Sequence, residues 1–238
     1  MMSLVTLETL TSGLVRLRLC RPGKRNALSH QLLGEALTAI DTAEQSGASV
    51  GILTAEGSTF CAGADLRDAG APANPLTIID LCERLLESRI FWIAAIQGPA
   101  LGAGVALASV CPASLARRGA WLSLPEISLG IFPAVVVAYV EPRLGLKLAV
   151  EWGLTGTRFD ADSADMRPLI TGVLEQEKFD EQVAAYAEGL ASAGAPVLAA
   201  RLAWQSGFSG EQVKRRRLEL FELMDAGRAG EQIVRAST

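Results

Sequence analysis

The sequence predicts an α/β fold: a layered core of strand-strand-helix units followed by an all-helical tail. Three observations predict it. Strand-like and helix-like stretches alternate through the first half of the chain. Half of the 238 residues are apolar, enough to bury a large core. After about Glu175 the composition turns to helix formers, and no linker separates two globular halves. The expected division is a core over residues 1–175 and a helical region over residues 176–238.

The elements follow in order. A first strand near Val5 to Leu10 and a Thr11-Ser12-Gly13 turn lead into a second strand, whose Val15, Leu17 and Leu19 face opposite to Arg16 and Arg18. Ser29 caps a helix with Leu33, Leu37 and Ile40 on one face, closing at Gly47. A strand over Val50 to Thr54, a Gly/Ala-rich loop from Ser58 to Leu66 and a helix over Leu76 to Ser88 come next. The apolar run Ile90 to Ala116 has a bilayer's length. Gln97-Gly98-Pro99 and Cys111-Pro112 break it into a buried strand, a turn and a buried helix from Leu101 of about 10 residues, rather than a membrane span. Short strands follow near Ala113 to Ala116, Trp121 to Leu124 and Ile170 to Leu174. The tail reads as helices over Glu177 to Ser192 and Pro196 to Trp204, with another starting at Ser209, where Gln212 completes a capping box.

Composition removes several classes of function. With 22 basic and 26 acidic side chains the net charge is -4, which excludes a sequence-independent grip on nucleic acid. Cys20, Cys61, Cys82 and Cys111 match neither a paired zinc spacing nor a compact disulfide framework, so they are expected to be reduced, in the cytoplasm. The segment MMSLVTLETLTSG has no basic or continuous apolar region of an export signal. A single histidine, His30, rules out a histidine-rich metal site and reads as a surface residue; no metal and no cofactor are expected. Lys214-Arg215-Arg216-Arg217 is flanked by Glu211, Glu219 and Glu222 and reads as a solvated helix face.

Two motif matches fail on their context. Gly47-Ala-Ser49-Val-Gly51 fits G-x-S-x-G, but a nucleophile elbow needs a strand before the serine and a helix after it, and here the order is reversed. Gly98-Pro-Ala-Leu-Gly102-Ala-Gly104 imitates a dinucleotide phosphate turn, yet it comes far from the first strand, and Tyr139 is followed by Arg143 where a lysine is required. The turns make better sense together. Phe60-Cys-Ala-Gly-Ala-Asp-Leu66 and Gly98 to Gly104 both let backbone approach a ligand, and the second opens a helix whose first amides point outward.

These segments resemble the signatures of the enoyl-CoA hydratase/isomerase (crotonase) superfamily, in the same order over about Val5 to Leu174. They are Arg21-Pro-Gly-Lys-Arg-Asn-Ala-Leu28, Phe60 to Leu66, Ile96-Gln-Gly-Pro-Ala-Leu-Gly-Ala-Gly104, and Leu124-Pro-Glu-Ile-Ser-Leu-Gly-Ile131, with Leu148 to Gly156 after them. The resemblance implies a crotonase-like spiral of ββα units, a C-terminal oligomerisation region, and a coenzyme A thioester as substrate rather than cofactor. By that likeness the N-H groups of Ala62 and Ala103 form an oxyanion hole, and Gly63, Ala64, Asp65 and Phe132 line the substrate site. Lys24 and Arg25 are expected to meet the CoA phosphates.

Departures from the family pattern carry as much information. Of the two glutamates of the hydratases, Glu126 corresponds to the second, while Ala106 stands where the first belongs. The resemblance implies an acyl-CoA hydratase or isomerase acting on an unsaturated thioester, and a lone carboxylate suits the isomerase, which moves a proton between two carbons; the alternative is a non-catalytic acyl-CoA-binding or assembly protein. The stretch Phe132-Pro-Ala-Val-Val-Val-Ala-Tyr139 replaces a glycine-rich segment and looks more like the cyclohexa-1,5-diene-1-carbonyl-CoA hydratases, with Val135, Val136 and Val137 as a wall for a flat acyl group. Apolar positions Val213, Leu220, Phe221 and Met224 are expected to pack between subunits of a homotrimer or hexamer.

Overall fold

The computed structural model describes residues 3–68, 76–209, 215 and 218–219. Strands β1 (Val5–Thr11) and β2 (Leu14–Leu19) form the expected antiparallel hairpin. Helix α1 (His30–Gln45) starts where Ser29 accepts a hydrogen bond from the Leu32 amide, and it buries Leu33 and Ile40. Then come β3 (Val50–Ala55), α2 (Ile78–Glu87) and β4 (Phe91–Ile96). Helix α2 opens on a capping box made by Thr77 and Asp80.

The long uncharged run divides into β4, the two-residue strand β5 (Ala100–Leu101), helix α3 (Ala103–Val110) and β6 (Ala113–Arg117). Helix α3 is shorter than expected, 8 residues, and every one of them is buried. Among the described residues no single helix is long and apolar enough to cross a membrane. Beyond it lie β7 (Trp121–Ser123), α4 (Ala134–Leu144), α5 (Leu146–Thr155), β8 (Phe159–Asp160), β9 (Gly172–Leu174), α6 (Phe179–Ala193) and α7 (Ala195–Ser209).

Six strands make one sheet in the order β1-β2-β3-β4-β6-β9, parallel except for the first pair. A smaller sheet, β5-β7-β8, stands beside it. Parallel strands covered on both faces need apolar residues throughout, and β3 and β4 are buried along their whole length. Val15, Leu17 and Leu19 face the large core under the early helices, whereas Leu14, Ile52 and Ile93 face Phe179, Val183 and Ala187 of α6.

Two expectations are corrected. The break expected after Trp204 is absent, because α7 continues to Ser209, which is therefore not a cap; Gln212, Val213, Leu220, Phe221 and Met224 lie outside the described residues. His30 is half-buried rather than a surface residue: its Nδ1 accepts a hydrogen bond from Leu76 N at 2.9 Å, tying α1 to the approach of α2.

Candidate active site

The four signature segments converge through backbone hydrogen bonds. Phe60 N donates to Pro99 O at 3.0 Å and Leu101 N to Cys61 O at 2.9 Å, joining the second segment to the third. Gly102 N donates to Ser123 O at 3.0 Å and β5 pairs with β7, joining the third to the fourth. The first segment is pinned by buried Asn26, which accepts from Arg21 N at 2.9 Å and donates to the carbonyls of Glu56 and Thr59 at 2.8 and 2.7 Å. Leu28 N then reaches Gly63 O at 2.9 Å, so the first segment lies along the second.

Between them is a cavity of about 260 Å³, lined by Ala62, Gly63, Ala64, Gly102, Ala103 and Glu126 on one side, and by Ile78, Phe132, Pro133, Val135 and Val136 on the other. Leu66, Leu129 and Ile131 are exposed at its rim. Among the described residues Glu126 is the only ionisable side chain in the lining. Burial pushes its carboxyl above the ordinary value, and Oε2 is sealed from solvent with no hydrogen-bond partner among the described residues. Its Oε1 lies where a Cβ on Gly102 would be, so only glycine at 102 leaves room for the carboxylate. At a φ of 50° Gly102 also holds a conformation that other residues rarely adopt.

The structure changes one of the two expected amide donors. Ala62 N already donates to Arg25 O at 3.0 Å and is not free to meet a ligand. Ala64 N and Ala103 N donate to no backbone or side-chain acceptor among the described residues, and both residues line the cavity. Ala64 is exposed to it, and Ala103 begins α3, where the helix dipole adds to its amide. Ala64 is expected from its motif as a lining residue only; the signal that separates the two amides is the pairing of the first segment with the second, which no single motif displays.

The remaining expected residues divide by position. Asp65 is paired with Arg21 at 2.7 Å, and that guanidinium holds its carboxyl below the ordinary range, so it braces the second segment outside the cavity lining. Lys24 and Arg25 are exposed and do not line the cavity, but the Arg25 carbonyl on Ala62 N sets them next to it. Phe132, Val135 and Val136 form wall; Val137 does not, because it turns into the packing against α5. Ala106 is fully buried in α3 and contributes nothing to the lining. Burial pushes the Cys61 thiol up to about 12, which makes it a packing group rather than a nucleophile. No three His, Cys, Asp or Glu side chains among the described residues stand together as a metal site.

Comparison with known proteins agrees with this geometry. The enoyl-CoA hydratase/isomerase family model matches residues 9–221. A 4-chlorobenzoyl coenzyme A dehalogenase of an Arthrobacter species is 34% identical over 198 residues, covering 77% of this chain and 71% of that protein. The 2,3-dehydroadipyl-CoA hydratase of Escherichia coli is 34% identical over 167 residues, 68% of this chain and 66% of its own length. The crystal structure of an enoyl-CoA hydratase from Bacillus anthracis superposes with a TM-score of 0.76 at 31% identity, over 94% of this chain and 90% of that one. Family model, relatives and fold agree with the converging segments: the chain belongs to the enoyl-CoA hydratase/isomerase family and is an enzyme of that class.

Proposed function

We propose that the enzyme moves a proton within an unsaturated acyl-CoA thioester, with Glu126 as the single acid/base and the Ala64 and Ala103 amides as the oxyanion hole. The observation that carries this reading is one desolvated carboxylate in the same apolar cavity as two free amides. In an isomerisation the Glu126 carboxylate takes a proton from the carbon next to the double bond. The electron pair moves onto the thioester oxygen as an enolate, stabilised by the two N-H groups. The electrons then return to the carbon skeleton with the double bond shifted, and Glu126 delivers the same proton to another carbon.

Hydration has less support, since water addition needs a second group to orient the water and the lining offers no further carboxylate among the described residues. An absorbance assay on linear enoyl-CoA and cyclic dienoyl-CoA thioesters, the latter testing the narrower likeness to the cyclohexadiene hydratases, decides the matter. Turnover of at least one is expected. Glu126→Gln should lower it about 10²- to 10⁴-fold while leaving acyl-CoA affinity within a few fold. Full activity in that variant overturns the role, and intact binding without turnover of any thioester favours the non-catalytic alternative.

Three further parts belong to the same proposal. Lys24 and Arg25 meet the CoA phosphates, so reversing both charges should raise KM for acyl-CoA with little change in kcat; an unchanged KM moves the phosphate site elsewhere. The protein works in the reducing cytoplasm, in keeping with four free cysteines of which three are buried. It assembles as a homotrimer or hexamer, for which the outer face of α7 is the support.

A further inference from the structure

The wall opposite Glu126 holds a contact that the proposed chemistry does not use. Phe132 lines the cavity, and the Cε2 edge of its ring packs against Gly153 of α5. A Cβ built on Gly153 would stand 2.9 Å from Phe132 Cε2, 3.2 Å from Val137 Cγ2 and 3.3 Å from Pro133 Cγ. The missing side chain at 153 thus leaves the ring edge the room it occupies.

The size and charge of the space behind the reacting atoms follow from this. A volume of about 260 Å³ is below the ~300 Å³ at which pockets begin to hold drug-sized ligands. A space of that size suits a short acyl group better than a long one. No Lys, Arg or His lines the cavity among the described residues, and its one ionisable group is an acid. Among the described residues, an acyl group ending in a second carboxylate would meet apolar walls and Glu126, with no cation in the lining to pair it.

Resting on the function proposed above, we infer that this enzyme selects short, uncharged, apolar acyl groups, and that Phe132 seated on Gly153 is the residue that sets the limit. Phe132→Ala removes the ring and widens the cavity; Gly153→Ala pushes the ring inward and narrows it. Both changes leave Glu126, Ala64 and Ala103 in place, so the quantity read is the preference among acyl groups.

The test measures dissociation constants of butanoyl-, hexanoyl-, decanoyl- and adipyl-CoA by calorimetry for the wild type and both variants, alongside kcat/KM for the matching unsaturated thioesters. The wild type should bind hexanoyl-CoA at least tenfold more tightly than decanoyl- or adipyl-CoA. Phe132→Ala should remove most of the decanoyl penalty and leave the adipyl penalty in place; Gly153→Ala should weaken hexanoyl-CoA more than butanoyl-CoA. If Gly153→Ala does not fold, Phe132→Leu and Phe132→Trp supply the two directions. Equal affinity of the wild type for all four ligands, or an unaltered chain-length preference in Phe132→Ala, overturns the inference. Binding in the expected order with no turnover of any thioester leaves the selection intact and sinks the catalytic reading instead.

Discussion

Desolvation holds the Glu126 carboxyl above its ordinary value, so the folded chain keeps that proton more tightly than the unfolded chain does. The sign is therefore unfavourable for stability as pH rises. Below the ordinary carboxylate value both states are protonated and the group costs nothing; above it the unfolded state ionises first, and stability falls until the folded-state value is passed. Glu126→Gln removes this penalty. It is expected to raise the midpoint of thermal unfolding at neutral pH and to leave it nearly unchanged near pH 4, with calorimetric scans at the two pH values as the check. Gly102→Ala works at the same spot from the other side, since the new methyl overlaps Oε1 and must displace the carboxylate. A loss of kcat with little change in KM is expected there, together with a shifted acid limb of the pH profile; an unshifted profile would show that the carboxylate had not moved.

Helices α1 and α2 and the start of β4 meet at one ionised group. Glu44 is half-buried, which works against its charge, but Arg84, the Arg89 amide and the Ser88 hydroxyl outweigh burial and hold its carboxyl down to about 2. A depressed carboxyl contributes stability above the unfolded-state value of 4.5 that is lost as pH falls toward about 2. Glu44→Gln should cost on the order of 1–3 kcal/mol at pH 7, and the difference from wild type should shrink through that window in denaturant titrations.

The elements themselves were legible where one local signal dictates them. The alternation of β2, the Ser29 cap and the proline breaks of the uncharged run each act within a few residues. The four signature segments were legible too, as ordered words. What the words do not contain is their mutual register: which of Ala62 and Ala64 keeps a free amide depends on Arg25 O, 37 residues earlier in the chain than Ala62, and the room at the Phe132 ring edge depends on a glycine in another helix. Long-range packing of this kind leaves no trace in spacing or periodicity.

At the scale of the molecule, α7 settles one side of itself and leaves the other. Its inner side folds back onto its own core: Trp204 Nε1 donates to Val110 O at 3.0 Å and its ring lies 3.5 Å from the Arg143 guanidinium. Arg201 and Gln205 reach Ser88 O at 3.1 and 2.9 Å. These contacts cap the end of the sheet within one chain, the behaviour of a self-contained helical cap. The flank beside Arg201 and Gln205 presents Leu198 and Leu202, one turn apart and 51% and 52% exposed. Two leucines on one stripe favour a second copy as cover, since an isolated chain loses nothing by placing polar residues there. Light scattering of the purified protein at micromolar concentration should give the mass of three or six chains. Leu198→Glu with Leu202→Glu should reduce it to one chain while the inner contacts keep the fold and its far-ultraviolet dichroism intact. A wild-type mass of 25.1 kDa, that of the single chain, would make α7 a cap and nothing more.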